Sequence, residues 1–195
     1  MNLLKYFTPL MVGLCLAAPA VAAEHSSTTA RTTTVGSDSA CIPTLGKIKP
    51  AGPFRLWTAI NKVLPEYAAL KGGKELRSRI DGMSAGQFKG RNPGDVMAQT
   101  EIFRAILEDI RDQLKLFEIK TYKDPLGRKI TPAVVFLNSG HVLDALVETL
   151  YMSSKKSADA LGRFYDVPYV AGKTPGDVFG LVHLATRRLQ LIAGS

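Results

Sequence analysis

The 195-residue chain is poor in the residues that most chemistry-bearing proteins rely on. It has two cysteines, Cys15 and Cys41, and three histidines, His25, His141 and His183. With Cys15 inside an apolar leader, Cys41 is the single thiol left, which excludes an internal disulfide framework and leaves stability to an apolar core. Cys41 then either stays unpaired or crosslinks to another chain. A di-iron bundle needs Glu-x-x-His on two helices, and that pair is missing. Glu101 and His183 share an offset of eight from a proline and could face each other across the bundle as a metal pair, against the plainer reading of His183 as an exposed or core-edge histidine. Neither a zinc-ligand cluster, a haem attachment motif, a nucleophile elbow nor a glycosidase carboxylate pair is present. Gly172–Thr174 reads Gly-Lys-Thr, yet Val167 stands where a phosphate loop needs its first glycine. His141 and Asp144, with Ser139 nearby, share a helix face, which is ordinary helical spacing rather than a triad. These absences point away from an enzyme and from any metal or cofactor.

Past the first 23 residues no apolar run approaches the ~20 residues that a spanning helix takes. Residues 1–23, with Lys5, a short apolar run and small residues at Val21 and Ala23, have the organisation of a secretory signal peptide. Leu14 precedes Cys15 where a lipoprotein signal has a small residue. Residues 24–46 are dense in Ser, Thr and Gly and nearly lack large apolar side chains, the composition of a flexible leader. Residues 47–195 are then one helical domain, long enough for a single core. The expected location is the periplasm or the medium, with no transmembrane span after signal cleavage.

The formal charge is +8 and unevenly spread. Between Lys47 and Arg91 stand ten bases against Glu66, Glu75 and Asp81. The densest part, Lys71, Lys74, Arg77, Arg79, Lys89 and Arg91, is the candidate contact surface for an envelope protein or another anionic surface. Export argues against nucleic acid as the partner. A loop with two tyrosines, Tyr165 and Tyr169, is a second candidate surface.

What the sequence does have is a near-duplicate: GRNPGDVM from Gly90 and GKTPGDVF from Gly172. In each, Asn92 or Thr174 precedes Pro93 or Pro175, and Asp95 or Asp177 follows two residues later. This is a helix start: a side-chain cap, proline where its missing N–H costs nothing, and a carboxylate at the positive end of the dipole. Weaker copies occur at Thr131-Pro132 and at Gly52-Pro53, so the four prolines are separated by 40, 39 and 43 residues. Apolar residues recur at offsets three, ten and fourteen from each proline and at seventeen in three of the four copies, Thr149 filling that place in the other, all on one helical face.

The reading is a mainly α protein, a four-helix bundle or a short helical-repeat array with long connections. Its core helices are predicted at about 53–71, 93–117, 132–156 and 175–193, with Pro65 kinking or ending the first. Lys74–Ile80 and Ser157–Tyr165 suit short helices, Leu116–Tyr122 a brief extended piece, and Lys123–Gly127 a turn. Trp57, Met97, Phe136 and Phe179, at the helix starts, form one end of the core or, if the helices lie parallel or splay open, line an apolar pocket. The function this supports is a non-catalytic binding or interaction module of the cell envelope. The alternative is a periplasmic carrier or sensor of a small apolar or anionic ligand.

Overall fold

The computed structural model describes residues 48–123, 127, 129–154 and 157–195. The signal and leader segments expected at 1–23 and 24–46 lie outside these residues, as does most of the turn expected at 123–127. The described chain is mainly helical and, among those residues, has no strand. Its elements are α1 (Ala51–Asp81), α2 (Pro93–Asp109), α3 (Arg111–Leu114), α4 (Pro132–Ser153), α5 (Ala158–Gly162) and α6 (Pro175–Ala193).

The duplicated motif folds the same way twice. Gly90 and Gly172 both take left-handed backbone, with φ of 69° and 75°, which turns the chain into the cap at little steric cost. Asn92 Oδ1 then accepts from the amides of Gly94 (2.7 Å) and Asp95 (3.2 Å), while the Asn92 amide donates to Asp95 Oδ2 (2.9 Å). At the other copy Asp177 N–H donates to Thr174 Oγ1 (3.3 Å), and the Thr174 amide and hydroxyl both donate to Asp177 Oδ2 (2.8 Å each). The two weaker copies behave differently. Pro132 begins α4, but Thr131 makes no side-chain cap. α1 begins at Ala51 with Pro50 before it, so Pro53 sits in the third helical position rather than the first. Without an Asp to lock the loop, the chain finds its turn earlier, at Lys49–Pro50, where the Gly52 amide donates to the Lys49 carbonyl.

α1, α2, α4 and α6 run parallel, all starting at one end of the bundle. Pro53, Pro93, Pro132 and Pro175 converge there with Val96, Val135 and Val178 around a void of only about 10 Å³. Contacts between helices climb in step from that end: Asn61 reaches Leu181, Tyr67 reaches Leu146 (2.5 Å) and Lys71 reaches Ile192 (2.7 Å). α1 packs extensively on α4 and α6, and α2 packs on the same two helices, so α1 sits diagonally from α2 and α4 from α6. That order makes the fold a bundle rather than a stacked repeat array, in which successive units adjoin. Trp57, Phe103, Leu107, Leu146 and Leu189 are fully enclosed, and the Trp57 and Phe103 rings meet edge to face at 5.2 Å.

Parallel helices need return paths, which explains the long connections. α1 reverses at Gly72–Gly73, the only non-helical φ/ψ inside it. Arg77 therefore reaches Glu66 at 3.3 Å, although eleven residues of continuous helix would span roughly 16 Å. The predicted kink at Pro65 does not occur, because the break falls on the glycine pair instead. The returning chain then lies along α6 over Gly176 and Gly180: a methyl on Gly176 would collide with the Phe88 carbonyl, and one on Gly180 would sit 2.5 Å from the Gly86 carbonyl oxygen.

In the second return, after left-handed Lys115, residues 116–122 form no strand; Leu116 and Ile119 are buried and Phe117 and Lys120 exposed. The third contains α5, capped by Ser157, with Leu161 and Val167 buried. One described helix, Pro132–Ser153, is long and apolar enough to cross a membrane by length and composition, contrary to the reading of the runs. Most of its apolar window is buried against the other helices, because its near-continuous hydrophobicity serves the bundle core.

Candidate interaction surfaces

The structure separates the six bases that sequence grouped together. Lys71 lies at the far end of the bundle, where its ammonium donates to the carbonyls of Ile192 (2.7 Å) and Ala193 (3.4 Å) and to Gln113 Oε1 (3.2 Å). It thus closes the C-terminus of α6, a favourable place for a cation. Arg77, on the returning arm of α1, pairs with Glu66 (3.3 Å) and Asp81 (3.6 Å). Lys74 and Arg79 are exposed on the same arm. Lys89 and Arg91 are at the opposite, proline end. The region is therefore not one patch.

A different basic surface takes its place. Lys49, Lys89, Arg91, Lys129 and Lys173 each stand within four residues before a helix start, and the four starts converge. The Arg91 guanidinium lies over the Phe179 ring at 4.5 Å and beside Phe88 at 5.9 Å; the Lys173 ammonium lies over Phe54 at 4.4 Å. The first two turns of the four helices carry just two carboxylates, Asp95 and Asp177, and both are committed to the caps. Hydrogen bonds from the Thr174 amide, then from its hydroxyl, hold the Asp177 carboxyl below its ordinary range. Four parallel macrodipoles add about half a positive charge each at this end. A cation beside a helix N-terminus is locally unfavourable by roughly 0.3–1 kcal/mol, so this rim is assembled against the local electrostatics.

Lys49, Lys129 and Lys173 were not singled out from sequence, although Lys173 was visible as the base that pairs with Arg91 in the duplicated motif. Their common surface depends on the parallel arrangement, which the motif alone does not state.

Among the described residues, the helix-start large side chains edge none of the three larger clefts. Trp57 and Phe179 are buried, and the space between the starts is at the limit of one water. A larger cleft of about 830 Å³ opens at the far end, edged by Leu70, Phe117 and Met152, the last 69% exposed. Tyr165 and Tyr169 are both exposed. Tyr165 is the more anchored: its hydroxyl donates to Asp144 Oδ1 (2.8 Å) and its carbonyl accepts from Arg55 (3.0 Å). Burial, then the neighbouring Asp144 carboxylate, pushes its phenol pKa up, so it stays a neutral donor.

Glu101 and His183 form no joint site. His183 packs against the rings of Phe88 (5.5 Å) and Phe179 (6.4 Å), and Glu101 faces Arg104 at 4.0 Å. Ser139 is buried with its hydroxyl donating to the Val135 carbonyl (2.7 Å), and His141 Nδ1 lies 3.0 Å from the Lys120 carbonyl. No cluster of metal-ligating side chains occurs among the described residues. Comparison with protein-family models, with curated proteins and with solved structures finds no match to this chain.

Proposed function

We propose that the protein is an exported, non-catalytic interaction module that docks through its proline end onto an anionic membrane surface of the cell envelope. The observation that supports this is the ring of Lys49, Lys89, Arg91, Lys129 and Lys173 around four aligned helix N-termini. At about 1 kcal/mol per basic residue near an anionic bilayer, five cations supply roughly 5 kcal/mol. That is peripheral, sub-millimolar binding. It is also salt-sensitive, because exposed charges are screened beyond about 10 Å at 0.1 M ionic strength. The N-terminal leader of residues 1–23 supports export to such a surface.

The test is sedimentation of the mature protein with phosphatidylglycerol vesicles and with phosphatidylcholine vesicles across a salt series. Binding confined to the anionic vesicles and lost toward 0.5 M salt is the expected result; equal binding to both lipids defeats the reading.

The far-end cleft favours a second reading, a carrier of a small apolar ligand. Its volume of about 830 Å³ lies in the range of small-molecule sites, and Leu70, Phe117 and Met152 give it an apolar edge. A ligand held there raises the melting temperature with concentration, and replacing Phe117 and Met152 by Ser removes that rise. A rise that survives the replacement places the ligand elsewhere.

A further inference from the structure

Two buried arginines occupy corresponding posts in this bundle. Arg104 on α2 bonds Asn138 on α4 (3.3 Å) and grips the following return through the Ile119 and Lys120 carbonyls. Arg188 on α6 bonds Asn61 on α1 (2.8 Å to the carbonyl, 3.3 Å to Oδ1) and grips a return through the Met83 carbonyl (3.1 Å). The two differ in charge compensation. Arg104 Nε faces the carboxylate of Glu101, three residues earlier. Three residues before Arg188 stands Ala185, and Arg188 Nε has no hydrogen-bond partner. Arg188 is 8% exposed, its hydrogen bonds all go to neutral acceptors, and among the described residues Asp81 acts on it through space without closing an ion pair. A buried cation bonded only to neutral acceptors keeps most of its desolvation cost.

Arg188 lines a cleft of about 380 Å³ between α1, its returning arm and α6. Arg77 and Lys62 line the same cleft, together with the Thr58 side chain. Asp81 is the carboxylate in the lining, and it is engaged by Arg77 at 3.6 Å, as Glu66 is from beyond the rim at 3.3 Å. Three cations thus meet one lining carboxylate, with planar guanidinium donors suited to an oxyanion.

We propose that this cleft binds a small oxyanion, a carboxylate or a phosphate, with Arg188 as its fixed charge and Arg77 and Lys62 as its mobile clamp. The site is on the flank of the bundle, between the first arm of α1, its returning arm and α6, and includes none of the five bases of the proline-end rim.

Calorimetric titration of the mature protein with inorganic phosphate and with sodium acetate, against chloride at matched ionic strength, tests it. Saturable one-to-one binding of phosphate or acetate is expected, and whichever binds identifies the oxyanion class. The Lys62→Gln/Arg77→Gln variant, with helical content checked by circular dichroism, should bind at least tenfold more weakly. A variant neutralised at Lys49, Lys89, Arg91, Lys129 and Lys173 should bind as before. Binding no stronger than that of chloride overturns the proposal; so does unchanged affinity in the Lys62/Arg77 variant, or loss of binding in the rim variant. Because Lys62 and Arg77 are exposed and outside the core, the test does not depend on a substitution at buried Arg188.

Discussion

Arg188 supplies the hydrogen bond that Pro65 takes away. Proline at position 65 has no N–H to donate to the carbonyl of Asn61, four residues earlier, and that carbonyl instead accepts from Arg188 Nη1 at 2.8 Å. α1 keeps helical backbone through Pro65 and is tied to α6 at the same point. A proline that would interrupt an isolated helix is here the place where two helices are joined.

This relationship predicts coupling. Arg188→Met leaves the Asn61 and Met83 carbonyls without that donor and should cost about 2–4 kcal/mol. In a Pro65→Ala background, where the N–H of the introduced alanine can serve the Asn61 carbonyl, the same substitution should cost about 1 kcal/mol less. Urea unfolding of the four proteins measures the difference, and additive costs would show that the two residues act independently.

The close approach of the first return to α6 predicts opposite outcomes for two glycines. Gly176→Ala must push the Phe88 carbonyl away and should cost about 1–3 kcal/mol, as overpacking does. Gly140→Ala, in the interior of α4 with open space around its Cβ position, should stabilise by about 0.5–1 kcal/mol. Thermal melts of both variants check the pair; a neutral Gly176→Ala would mean that the return does not rest on α6.

The capping boxes predict a loss of stability in acid. Thr174→Ala with Asp177→Ala should lower stability by about 1–2 kcal/mol at pH 7. Because the folded-state pKa of Asp177 is depressed, its contribution is complete above the ordinary value of 3.8 and is lost as pH falls through the folded value. The stability gap between wild type and Asp177→Asn should therefore narrow below about pH 4. A gap of constant size from pH 7 to pH 3 would exclude the carboxylate as the source.

The parts of this architecture that were legible in the sequence are local ones. Asn92-Pro93-Gly94-Asp95 and Thr174-Pro175-Gly176-Asp177 specify their helix starts within four residues, and both form complete capping boxes. Thr131 and Pro53 lack the reciprocal carboxylate, and their starts depart from the pattern. The reversal at Gly72–Gly73 was missed because Pro65 is the stronger breaker by intrinsic propensity; its cost is offset by Arg188, on the last helix, which no local rule can see. The same applies to the basic surface. Lys71 to Arg91 are neighbours in sequence but end up at opposite ends of the bundle, whereas Lys49, Lys129 and Lys173 come together only through the parallel packing.

The proposal that the proline end is the docking face is tested most directly by moving charge without changing its amount. One variant carries Gln at Lys49, Lys89, Arg91, Lys129 and Lys173; the other carries Gln at five exposed bases elsewhere, Lys74, Arg79, Lys115, Lys120 and Arg187. Sedimentation with phosphatidylglycerol vesicles at low salt should be lost in the first and retained in the second. Equal loss in both would show that net charge alone drives binding and would contradict a docking face at the helix starts.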